Sequence, residues 1–149
     1  MNQPTKRNPI AYASVNEALM SPKRVADANL YTIEPEGFDD FVRSYATGRR
    51  ETNPRTSGTI CDALMSNTPG KITFPINRRL IGEGITASDE EVARAVAFAF
   101  RELKLVVEPG GAIGLAALLA GRPDVKGKVV VAVLSGGNVD PELFHRLVA

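Results

Sequence analysis

The run Val129-Val130-Val131-Ala132-Val133-Leu134-Ser135-Gly136-Gly137-Asn138 constrains this chain more than any other segment. Its apolar part predicts a strand buried on both faces, as in a parallel sheet covered by helices. It then stops at a hydroxyl, two glycines and an amide. That stop falls at the carboxyl end of the strand, where open α/β sheets bind their ligands. One segment therefore predicts both an architecture and the address of a site.

The rest of the chain sets the limits on that reading. With 149 residues, it is expected to fold as one domain with one core. The net charge of +1 gives no electrostatic case for nucleic acid or an anionic membrane. Arg43, Arg49, Arg50 and Arg55 form a mild basic cluster without interleaved aromatics, which reads as a solvated face. No apolar run approaches the ~20 residues of a membrane-spanning helix, and the first residues lack a signal-peptide core. The single cysteine, Cys61, excludes an internal disulfide and reads as a small buried thiol. The expected compartment is the cytoplasm.

Residues 1–12 are polar and punctuated by proline, and are expected to form a flexible tail ahead of one α/β domain over 13–149. A short helix is predicted from Ala13 to Leu19, and a strand at Leu30-Tyr31-Thr32-Ile33. Phe38, Phe41, Val42 and Tyr45 have helical spacing, with Gly48 as the C-terminal cap. Residues 49–58 are irregular, 60–65 form a short helix or turn, and 72–79 are either extended or irregular. Ser88-Asp89-Glu90-Glu91 is a capping box ahead of an apolar face at Val92, Ala95, Val96, Ala99 and Leu103. Leu105-Val106-Val107 is extended and leads into a helix over 112–119 that is apolar all round, hence buried. Pro141 to Val148 forms a last amphipathic helix carrying His145, which is expected to face solvent. Only two convincing strands appear, too few to shelter a wholly apolar one. The predicted structure is a partial three-layer α/β/α arrangement, with few parallel strands flanked by helices.

Four segments, in order, resemble a known family. They are Ile33-Glu34-Pro35-Glu36-Gly37-Phe38-Asp39-Asp40, Thr59-Ile60-Cys61-Asp62-Ala63-Leu64, Leu105-Val106-Val107-Glu108-Pro109-Gly110-Gly111-Ala112, and Leu134-Ser135-Gly136-Gly137-Asn138-Val139-Asp140. Together they look like the C-terminal half of the large domain of threonine/serine dehydratases. These are pyridoxal-phosphate enzymes of fold type II, the tryptophan-synthase β-subunit fold. The resemblance covers residues 13–149 and implies a lyase of amino-acid metabolism.

It further implies that Ser135 hydrogen-bonds the pyridine nitrogen. A neutral hydroxyl there moderates the electron sink and suits β-elimination. Gly136 and Gly137 would let the backbone approach the ring, and Asn138 would hold the turn. Glu108 would lie beside the ring; its other reading is a residue at a helix start that bonds the amides of Gly110 or Gly111. Glu34, the carbonyl of Phe38, and Asp40 match positions that ligate a divalent cation in some relatives, which suits Mg²⁺ or Ca²⁺. Their other reading is a helix start decorated with acids.

The family's Schiff-base lysine and its phosphate-binding glycine loop have no counterpart in order. Lys23, in Ser21-Pro22-Lys23-Arg24, comes just before the Glu34 segment, which is the wrong place. The chain is therefore expected to be truncated, to hold no catalytic residue of its own, and to be inactive in isolation. Its expected partner is either a missing N-terminal half, with an amino-acid substrate once complete, or a second copy in a homo-oligomer. The alternative is a non-catalytic oligomer of the same fold that binds a small molecule or a divalent metal.

Overall fold

The strand predicted at 30–33 is present as β2 (Asn29–Pro35), with Leu30, Thr32 and Glu34 buried on one face. The computed structural model describes residues 9–12 and 29–149. Four strands form one sheet: β1 (Pro9–Tyr12), β2, β3 (Ile81–Ala87) and β4 (Val129–Ala132). Their order is β3-β2-β1-β4, and every pairing is parallel.

Two strands correct the sequence reading. Residues 9–12, expected in a tail, instead pair with Asn29–Tyr31 on one side and with 129–132 on the other. A four-residue apolar stretch, Ile10-Ala11-Tyr12-Ala13, carries little local signal, and the ladder partners that define it lie far along the chain. The second is β3, in a stretch for which the sequence reading predicts no strand; Gly82 and Gly84 dilute its pattern. Gly84 serves packing: a Cβ there would come 2.8 Å from Val42 Cγ2 and 3.2 Å from Val42 Cα. Only a glycine lets that helix lie so close to the strand.

Val42 belongs to α1 (Asp40–Thr47), which ends at Gly48 in the left-handed region, φ 75°. A 3₁₀ turn covers Asp62–Leu64. The ambiguous stretch at 72–79 is helical, as α2 (Thr73–Leu80). The capping box opens α3 (Asp89–Phe98): Ser88 Oγ accepts from the Glu91 amide at 3.3 Å, and Glu91 accepts from the Ser88 amide at 3.0 Å. A π-helical turn, Ala99–Leu103, extends α3 and stops at Lys104, which is left-handed at φ 60°. Then come α4 (Pro109–Leu119) and α5 (Pro141–Val148). The helix predicted at 13–19 lies outside the described residues.

The core sits where α3 meets α4. Val92, Ala95, Val96 and Ala99 pack against Ala112, Ile113 and Ala116. Small side chains on both helices allow a close approach, and each buried valine contributes about 1.5–3 kcal/mol. Phe144, Leu147 and Val148 of α5 close a second side, with Phe144 edge-on to Phe100 at 5.3 Å.

β4 departs from expectation. Its composition predicts burial on both faces, yet Val129 is 46% and Val131 50% exposed. It is the edge strand, and no described layer lies over its outer face. The arrangement is a short parallel sheet flanked by helices, and no helix among the described residues is long and apolar enough to cross a membrane.

Candidate cofactor site

A cavity of about 360 Å³ opens at the carboxyl end of the sheet. Ile33 and Glu34 of β2, Gly110 and Gly111 at the start of α4, Glu108, and Ser135 beyond β4 all line it. The opening run of the sequence therefore delivers its hydroxyl to a cavity, as the strand-end rule for α/β sheets expects.

The wall at Ser135 is built from glycines. The Glu108 amide donates to the Gly136 carbonyl at 2.9 Å, which ties the start of α4 to the turn after β4. Cβ atoms do not fit between them. One on Gly111 would lie 3.0 Å from both the nitrogen and the oxygen of Gly136, and one on Gly136 would overlap the Glu108 carboxylate. One on Gly137 would meet the Val106 carbonyl at 2.9 Å. Backbone faces backbone at that last contact, so no flexible side chain can yield. Gly137→Ala is expected to lower stability by about 1–3 kcal/mol. Chemical denaturation reads this directly, and an unchanged midpoint would contradict the contact.

Glu108 is the N-cap residue of α4, but its side chain caps no amide. The expected bond to Gly110 or Gly111 is thus not made, and the carboxylate rests on Gly136 at the cavity instead. Asn138 follows in the same turn and is exposed.

Two of the proposed cation ligands, Glu34 and Asp40, carry hydrogen bonds within the protein. Glu34 Oε1 accepts from the Phe41 amide at 3.0 Å, and its Oε2 accepts from the Val42 amide at 2.8 Å. Phe38 buries its ring, at 1% exposure. Asp40 Oδ1 accepts from Asn53 Nδ2 at 2.6 Å. Among the described residues no group of three or more His, Cys, Asp or Glu side chains could hold a metal ion. The Mg²⁺ or Ca²⁺ expected at Glu34, Phe38 and Asp40 is therefore not supported: Glu34 fastens the first turn of α1, where amides lack helical partners. Burial pushes its carboxyl up to about 8, against the pull of those two amides.

Several residues that shape the cavity carry no sequence signal for that role. Asp89, whose position in the first turn of α3 marks it as a dipole partner, also accepts from the Thr59 hydroxyl at 2.5 Å and the Ile60 amide at 3.1 Å. It thereby anchors the segment that carries Ala63 and Leu64 into the cavity wall. Asn53 holds the opposite rim: its Nδ2 donates to the Ser66 carbonyl at 2.8 Å, and its amide donates to the Asn67 carbonyl at 2.7 Å. The arginine cluster is not a plain solvated face. Arg43 reaches Asp39, the Thr52 carbonyl and Asn53, and Arg50 donates to the Pro69 carbonyl. Cys61 is fully buried, and burial pushes its thiol up to about 12, so it is no nucleophile. His145 is exposed on α5.

The family model for pyridoxal-phosphate dependent enzymes matches residues 12–136, most of the chain. The chain belongs to that family. Among curated relatives, it is 38% identical to an L-threo-3-hydroxyaspartate ammonia-lyase of Pseudomonas sp over 81% of its length. It is 35% identical to the L-threonine ammonia-lyase of Thermotoga maritima over 78% of its length. It spans 38% of the first of these proteins and 28% of the second. Among solved structures, a threonine deaminase from T.th. superposes with a TM-score of 0.78 at 30% identity, covering 89% of this chain and 50% of that one. The fold is that of fold-type-II enzymes, and the family's cofactor is pyridoxal phosphate.

Proposed function

We propose that this chain supplies the pyridine-ring wall of a pyridoxal-phosphate site in an amino-acid β-elimination lyase. On this reading it acts only together with a segment that carries the Schiff-base lysine and the phosphate-binding glycine loop. The observation that carries the reading is the meeting of Ser135 and Glu108 at one cavity, beside a glycine-built wall. The cofactor, when bound, supplies an electron sink for charge that develops at the substrate's α-carbon.

The chain's own groups orient and tune that ring. The Ser135 hydroxyl donates to or accepts from the ring nitrogen without forcing its protonation. Gly136 and Gly137 bring the backbone against the ring edge, and Asn138 holds the turn. Glu108 stands beside the ring as a fixed carboxylate. The ammonia-lyase relatives act on threonine and threo-3-hydroxyaspartate, which makes β-hydroxy amino acids the substrate class to test.

The test mixes this chain with the part of the Thermotoga relative that it does not match, and follows 2-oxo acid formation from L-threonine, L-serine and L-threo-3-hydroxyaspartate. The mixture is expected to be active and the chain by itself inert. Ser135→Ala is expected to lower the rate of the mixture on the order of 10²-fold. Equal rates with and without the added part would overturn the reading, as would an inert mixture whose parts co-elute. The half-exposed Val129 and Val131 favour a second reading, in which another copy of this chain covers β4. Light scattering on the chain by itself decides it, since a monomer excludes that dimer.

A further inference from the structure

We infer that the cavity of this chain, by itself, selects a hydroxypyridine ring that bears an amine and no phosphate. Pyridoxamine is then bound more tightly than pyridoxamine 5′-phosphate. The inference rests on the reading of this cavity as a ring site, and adds which form of the ring the chain recognises.

The lining divides by chemistry. Phe41, Leu64 and Ile113 supply apolar surface for a ring, and Ser135 supplies a hydroxyl that can bond its nitrogen. The titratable side chains among the described lining residues, Glu34 and Glu108, are both acidic. Glu34 is bound to two amides of α1, whereas the Glu108 side chain caps no amide and faces the cavity unengaged by its helix. A ligand ammonium is the natural partner for that carboxylate.

A phosphate meets the opposite balance. The start of α4 does favour anions, but the helix end carries only about half a positive charge. Pro109 has no N–H to offer there, and an acidic side chain, Glu108, stands beside it. Among the described residues, the groups at that end therefore oppose a second anion more than they favour it. In a partly enclosed cavity such like-charge contact outweighs what it would count for in water.

The test is direct binding of pyridoxamine, pyridoxamine 5′-phosphate and pyridoxine to the full chain. None of the three forms an imine with lysine. The chain has no Trp, so ligand fluorescence is read without tryptophan background. Pyridoxamine is expected to bind about tenfold tighter than its phosphate ester, and tighter than pyridoxine. In Glu108→Gln that preference should fall towards unity, while Ser135→Ala should weaken both amines in parallel. Circular dichroism checks that the variants are folded, and the wild-type comparison decides the inference without them. Equal or tighter binding of the phosphate ester would overturn it and leave the lyase reading standing. Binding of none of the three would also overturn it, while the lyase reading is judged separately by the two-part assay.

Discussion

The melting temperature of this protein will fall as the pH is raised from about 5 to about 9, by roughly 10 °C. Glu34 is the cause. Burial lifts its carboxyl from 4.5 to about 8 in the folded chain. Between those values the folded state holds a proton that the unfolded state has released. Stability therefore declines with rising pH across that window and levels off above it, the reverse of the usual carboxylate behaviour. The full shift corresponds to about 3–5 kcal/mol. Asp40 is raised by burial as well, and adds in the same sense. Glu34→Gln keeps a hydrogen-bond acceptor for one of the two α1 amides and removes the titration. It should cost about 1 kcal/mol at pH 5 and flatten the profile above it. A wild-type melting temperature independent of pH over this range would show that Glu34 is ionised in its site.

Asn53→Ala will destabilise the protein by about 2–3 kcal/mol and loosen one rim of the cavity. Asn53 is 5% exposed, and its side chain meets three groups: the Asp40 carboxylate, the Ser66 carbonyl and Arg43. Asp40 depends on it most. Its Oδ2 already lacks a partner, so losing the amide leaves a buried carboxyl without a side-chain donor. The same substitution removes the side-chain bond to Ser66, which with Thr68 and Gly70 lines the cavity, and leaves that rim held by the backbone bond to Asn67 and by Arg50 on Pro69. Denaturation measures the first effect. Hydrogen exchange at the amide of residue 53, which donates to the Asn67 carbonyl, measures the second, and protection equal to wild type would rule out the rim function.

What the sequence shows and hides follows from where each signal lies. The capping box at Ser88 and the buried helix α4 are local patterns, and the structure forms both. Ser135 and Glu108 are legible because each ends an apolar stretch at a glycine pair. The missed strands are non-local. β1 is defined by partners far along the chain, and the glycines of β3 answer to the flank of α1. Asn53 is invisible for a related reason: an asparagine in a polar loop looks like every other until its partners, thirteen residues away on either side, are placed. The exposure of β4 escapes the sequence because composition reports what a strand tolerates, not whether a covering layer is there.

The order β3-β2-β1-β4 has a further consequence for how the chain is made. β1 lies at the amino end and takes an inner place in the sheet, while its neighbour β4 is separated from it by more than a hundred residues. During synthesis β1 precedes β4 and keeps one edge open until β4 has left the ribosome. Closing so long a loop is slow, and an open strand edge is a template for wrong pairing. The step most exposed to misassembly is therefore the one in which the valines of β4 reach the strand that has waited for them.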